Sequence, residues 1–187
     1  LQRHFWTAAV SFPEQSALTT IYATFMKGHY ERLPFKAAVV EGVTSVVKAA
    51  LSLHSTVSST FRKTAANFHY EFNIRHLAGV FDGLLQAKPT EFLDAEKLTL
   101  LWVHEAERIY GDRLVNVADL KKYRGIAAEL VKKMFGKFNF TKYFQEKAPE
   151  ILVFVPFSLG LERMEEGPCY DKLNGVAATS TLLNAAL

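Results

Sequence analysis

Two stretches of this chain hold residues whose types and spacing could do chemistry. The first is YEFNIRHLAGVF, Tyr70 to Phe81, in which Arg75 follows Asn73 by two positions. Asn73 is a favourable N-cap, so Arg75 falls in the first turn of the helix it starts. Unpaired amides and the positive end of the macrodipole favour anions there and work against a cation. A guanidinium in that place is easiest to understand if it reaches a negative partner. A phosphate suits it, since the guanidinium fork and the free amides could bind it together. The competing explanations are pairing with Glu71, Asp82 or a neighbouring helix, or simple solvation.

The second stretch is HEAERIYGDR, His104 to Arg113. His104, Arg108 and Asp112 are spaced by four and line one side of a helix, with Glu105 one turn before Arg108. A zinc hydrolase would need a second histidine at position 108, where this chain has arginine. His104, Glu105, Arg108, Asp112 and Arg113 are therefore expected to form a structural ion network, with no metal site and no catalytic residue in it. Other catalytic sets are missing. Gly136-Lys137 lacks the glycine that a phosphate-binding loop needs at position 131, which is Val131, and no hydrophobic strand ends in paired acids. Cys169, after Gly167-Pro168, reads as a loop thiol. The aromatic run Phe138 to Phe144, with Lys137 and Lys142 interleaved, suits packing or a partner interface better than base stacking.

The elements that must position these residues are mostly helices. Leu18, Ile21, Tyr22 and Phe25 form one helical stripe, preceded by Ser11 and Glu14 at capping-box spacing and fading near Gly28 or Pro34. Val39, Val43, Val46, Ala50, Leu53 and Val57 form a second, running to about Phe61. The third begins at Asn73 and stops before Lys88-Pro89. Asp94 caps a fourth through Tyr110, and Asn116 or Asp119 begins a fifth that ends at Lys132, Lys133 and Gly136. His4 to Phe12 and Ile151 to Phe157 read as short strands, and Asp171 as the start of a last helix. The expected fold is mainly α, a helical bundle with one or two short strands.

Composition bounds the partners. A chain of 187 residues, 49% hydrophobic and 22% charged, has enough apolar material for a core. A net charge of +3 with scattered Lys and Arg does not describe a nucleic-acid surface. The longest apolar run, ILVFVPF, is far short of the roughly 20 residues of a membrane helix. A single cysteine excludes an internal disulfide and fits a reducing, cytoplasmic setting. The opening in mid-phrase, without methionine, leads us to expect a piece of a larger protein.

Three phrases together resemble a known family: LQRHFWTAAVSFPEQSALTTIY at Leu1 to Tyr22, HYEFNIRHLAGVFDGLL at His69 to Leu85, and LLWVHEAERIYGDRL at Leu100 to Leu114. In order and spacing they are similar to dynein heavy chains of the axonemal (ciliary) type, within a central module of the AAA+ motor ring, the third fitting best. After about Pro149 the match weakens: ILVFVPF fits the strand that leads toward the next module, and the stretch from Leu161 to Leu187 departs from the pattern. The resemblance implies that residues 1–13 are the last strand of the large α/β subdomain, 14–149 the helical lid, and 150–187 a connector toward the next module. It implies that Arg75 is the sensor-2 arginine, which reaches the nucleotide phosphates, and that Arg3 holds the arginine-finger position facing the preceding module. The cofactor would be ATP or ADP with magnesium, bound by the intact module and not by this piece alone. Implied partners are the neighbouring AAA+ modules, other dynein subunits and, through other parts of the motor, microtubules, in the cytoskeleton of a cilium or flagellum. The other reading of the same helices is a protein-interaction scaffold with no link to nucleotide.

Overall fold

The structure is a computed structural model that describes residues 2–136, 141–144, 152–158, 170–173 and 175–184. Five helices supply the core: α1 (Gln15–Arg32), α2 (Ala37–Thr60), α3 (Ile74–Leu84), α4 (Ala95–Tyr110) and α5 (Val117–Met134). A small antiparallel hairpin follows, β1 (Phe154–Val155) with β2 (Asp171–Lys172), and then α6 (Val176–Asn184). In the hairpin Phe154 faces Lys172 and Val155 faces Asp171. The fold is mainly helical, as the periodicity requires.

The helix α2 is the central element, packing on α1, α4 and α5. Its valines at 39, 43, 46, 47 and 57 are helix formers of modest propensity, so burial of that stripe, not local preference, holds it helical. By length and composition α2 could cross a bilayer; here the valine stripe faces the other helices. On α1, Leu18, Met26 and Tyr30 turn inward, the Tyr30 hydroxyl donates to the Leu84 carbonyl over 2.7 Å, and Tyr22 stacks on Phe81 with ring centroids 4.2 Å apart. The first helix is thus tied to the C-terminal turn of α3. The Asp94 side chain accepts from the Lys97 amide and starts α4, whose Leu98, Leu101, Trp102 and Tyr110 complete the centre of the core. Tyr123, Ala127 and Val131, four apart, are the face by which α5 closes it.

Three expectations need correction. His4–Phe12 is not a strand: a 3₁₀ turn at Gln2–His4 gives way to extended, exposed chain, because a strand needs a neighbour to exchange backbone bonds with and none lies alongside it among the described residues. Phe5, Trp6 and Val10 are left 70–92% exposed. The capping box at Ser11 and Glu14 does not form; Glu14 itself occupies the N-cap, with no side-chain bond. Asp171 begins no helix. It pairs with Val155 and its carboxylate lies 2.7 Å from the Lys97 ammonium, while α6 starts after Gly175, the one described residue with positive φ, +93°. Cys169 and Phe138 to Phe140 lie outside the described residues.

The third and fourth helices meet at Gly83, where a Cβ would stand 2.2–2.6 Å from the Glu105 side chain. Gly125 on α5 has nothing within 4 Å of the same position. Gly83→Ala should therefore cost roughly 2–3 kcal/mol of unfolding free energy through overpacking, while Gly125→Ala should gain about 0.5–1 kcal/mol through helix propensity. Urea unfolding of the two variants beside the parent chain measures both.

Candidate functional site

The head of α3 is built by a reciprocal cap. The Asn73 side chain accepts from the Arg75 amide at 3.0 Å, and the Asn73 amide donates to Nδ1 of His76 at 3.0 Å. The His76 amide also bonds the Asn73 carbonyl. Histidine here does what glutamate or glutamine does in the usual capping box. One expectation changes as a result. The amides of Arg75 and His76 are already engaged, so a phosphate at this helix end would meet the guanidinium rather than a row of free N–H groups. The Arg75 side chain is exposed, and it makes no hydrogen bond or ion pair among the described residues. Glu71, one candidate partner, pairs with Lys63 instead.

Beside this helix end lies a cavity of about 400 Å³. Its walls are Phe12 and Pro13 before α1, Leu18 on α1, Leu51, His54 and Ser58 on α2, and Phe72 just ahead of the Asn73 cap. Phe12 lies nearly parallel to the His54 ring, with centroids 6.1 Å apart. Nδ1 of His54 is 3.0 Å from the Tyr110 hydroxyl. Burial, with the nearby His76 charge adding to it, pushes the His54 imidazolium down from 6.5 to about 4, so the ring is neutral at physiological pH. Burial likewise raises the Tyr110 phenol, which stays protonated.

A second cluster surrounds Glu105, which is fully buried. Nε and Nη2 of Arg108 donate to Oε2 at 2.9 and 2.7 Å, the Tyr170 hydroxyl donates to Oε1, and Nε2 of His104 lies 3.9 Å from Oε1. His104 also reaches the segment leading into β1, its Nδ1 lying 3.3 Å from the Leu152 carbonyl. Burial lowers the His104 pKa even though Glu105 opposes that. The remaining residues of the HEAERIYGDR phrase are dispersed. Asp112 is exposed, with no ion pair or hydrogen bond among the described residues. Arg113 donates to the His69 carbonyl at 3.1 Å, leaving its Nε buried without a partner among the described residues. Arg3 lies in the exposed 3₁₀ turn, with Nε 3.3 Å from Nε2 of His4.

Sequence reasoning missed the cavity and several of the partners. His54 had a signal, as a histidine adjoining the apolar stripe of α2 at Leu53 and Val57. Glu107, which takes Arg124 at 2.7–2.8 Å, and Tyr170, which reaches Glu105 across 65 positions, had none in local spacing. Among the described residues no three His, Cys, Asp or Glu side chains converge as metal ligands.

Residues 46–144 match the AAA+ lid domain family. Over its whole length the chain is 47% identical to the dynein alpha chain of the flagellar outer arm of Chlamydomonas reinhardtii. It is similar to mouse dynein axonemal heavy chain 17, at 40% identity over 190 aligned positions, again covering the whole chain. It is also similar to the ciliary dynein beta chain of the sea urchin Tripneustes gratilla, at 40% over 135 positions, or 72% of the chain. The chain spans only about 3–4% of the length of these relatives.

The buried histidines set a pH dependence. A histidine with a depressed folded pKa contributes stability that is complete above its unfolded pKa and is lost as pH falls toward the folded one. For His54 that window runs from 6.5 down to about 4, and His76 and His104 shift in the same direction. Unfolding free energy should drop by roughly 3–4 kcal/mol across it. In His54→Gln the fall should be visibly shallower, as read by urea denaturation at stepped pH.

Proposed function

The chain belongs to the AAA+ lid domain family and is the lid region of a dynein heavy chain, and from that premise we propose that it couples nucleotide state to ring movement in an ATP-driven microtubule motor. The observation that carries this reading is the Arg75 guanidinium, exposed and without a partner among the described residues, at a helix head where Asn73 already takes the amides of Arg75 and His76. As the sensor-2 residue, Arg75 reaches across to the phosphates of ATP or ADP with magnesium, held by the large subdomain of the same module. Contact with phosphate favours one orientation of the lid and its loss permits another, so a local change of charge becomes a rigid-body movement passed to neighbouring modules. The neutral, aromatic cavity next to α3 is suited to the base of the same nucleotide.

In this reading, residues 1–13 belong to the large subdomain, whose other strands would supply the neighbour this stretch lacks among the described residues. That assignment accounts for a row of exposed apolar side chains at Phe5, Trp6, Val10 and Phe12. Arg3, just before them, faces the nucleotide of the preceding module as an arginine finger. The names of the relatives, which specify flagellar outer arm, axonemal and ciliary chains, support a place in the axoneme, with the other dynein subunits and microtubules as partners of the whole motor. The same exposed apolar row would also serve a plain interaction scaffold, but that reading leaves Arg75 unexplained.

In the parent heavy chain, Arg75→Ala should weaken triphosphate binding at this module by about tenfold or more, the worth of a charge-assisted hydrogen bond. It should also reduce nucleotide-dependent lid closure, with the helices intact by circular dichroism. Unchanged affinity and unchanged stepping would overturn the assignment. The 187-residue chain by itself should show no ATP turnover.

A further inference from the structure

The cavity beside α3 has a lining that does more than exclude water. No charged side chain is among the residues that form it, which suits the uncharged part of a ligand rather than its phosphates. Two of its hydroxyls are committed as donors: Ser58 Oγ to the Phe72 carbonyl at 3.4 Å, and Ser59 Oγ to the Thr56 carbonyl at 3.0 Å. Their lone pairs remain available to accept. His54 supplies the opposite polarity. Its Nδ1 is the hydrogen-bond partner of the buried Tyr110 hydroxyl. If Nδ1 carried the ring proton, the phenolic proton would be left buried with no acceptor among the described residues, an arrangement that proteins avoid. The phenol therefore donates to Nδ1, and the ring proton resides on Nε2, which has no partner among the described residues and belongs to a residue that lines the cavity.

We infer that His54, held in its Nε2–H tautomer by Tyr110, is a specificity-determining residue that donates one hydrogen bond to a ring nitrogen of a purine base in the cavity between Phe12 and Phe72. The inference rests on the nucleotide reading above and adds to it the residue that reads the base and the residue that sets its tautomer. Tyr110 acts as a positioning residue. Its hydroxyl bonds His54 while its ring packs edge-on against Phe72, and its role toward the ligand is to decide which imidazole nitrogen offers a proton. The Ser58 and Ser59 oxygens, on the same helix about one turn beyond His54, would accept from an exocyclic amine, so a donor beside acceptors favours adenine, which has ring-nitrogen acceptors next to an amino donor.

The test uses the parent heavy chain with its other nucleotide sites disabled, titrated with ATP and with its 1-deaza, 3-deaza and 7-deaza analogues. Each analogue lacks one ring-nitrogen acceptor. In the parent protein one of the three should bind about five- to tenfold more weakly than ATP, the worth of a single neutral hydrogen bond. In His54→Phe that analogue and ATP should bind alike, and His54→Gln, which keeps an N–H donor, should restore part of the difference. Tyr110→Phe should shrink the difference and make it depend on pH. Equal binding of all three analogues in the parent protein would overturn the inference, as would a His54→Phe change that weakens every ligand to the same degree. If ATP binding still depends on Arg75 in either case, the nucleotide reading survives and only the role of His54 falls. If no nucleotide binds at this site, both fall together.

Discussion

Glu105 is a carboxylate with 0% exposure, and a charge so placed is tolerated only when the protein answers it from every side. Arg108, one turn further along α4, answers one oxygen, and Tyr170 from the connector answers the other. The Glu105 side chain fits because α3 brings a glycine, Gly83, against it. Two consequences follow from this single constraint. The spacing of α3 on α4 is set by a contact that no larger residue would allow, and the β1–β2 hairpin is held at α4 by the Tyr170 bond, by Lys97–Asp171 and by the packing of Phe154 on His104. Half-exposed Arg108 keeps one side of the pair in water, which limits the desolvation the arrangement must overcome.

Fixing α3 in this way fixes what its head presents. The helix is gripped in its C-terminal half by Tyr22, Tyr30 and, against Gly83, Glu105, and its first turn is capped by Asn73 and His76. A first turn that satisfies its own amides leaves the guanidinium of Arg75 as the group it offers outward. On one side stands an uncharged cavity with Phe72 in its wall, and on the other an exposed cation. That division of neutral from charged surface matches the division within a nucleotide between base and phosphates. It also separates two jobs that the sequence had merged, because the anion-binding capacity read into the whole helix end belongs to one side chain.

The helices were legible because each carries its own evidence. Asn73 and Asp94 cap by local bonds, and the stripes of α2, α4 and α5 repeat at three and four residues. What sequence reasoning lost depends on distant partners. His4–Phe12 has the composition of a strand but nothing alongside it to pair with among the described residues, and Asp171 is drawn into a hairpin by Val155 and Lys97, both remote in sequence. In the HEAERIYGDR phrase, helical spacing found Glu105 with Arg108 correctly. It also gathered in Asp112 and Arg113, which fall at and beyond the turn where α4 passes into a 3₁₀ segment and the four-residue periodicity stops applying. The cavity was invisible for the same reason, since its walls come from four separate segments.

The central claim is that the head of α3 presents Arg75 to the phosphates of a nucleotide held by the large subdomain of the same module. A structure of the complete module with bound nucleotide tests this most directly. The account predicts an Arg75 guanidinium nitrogen within about 3 Å of a phosphate oxygen, with the base in the cavity walled by Phe12, His54 and Phe72. A guanidinium still pointing into solvent, or paired with a carboxylate of the large subdomain while the nucleotide sits elsewhere, would contradict it.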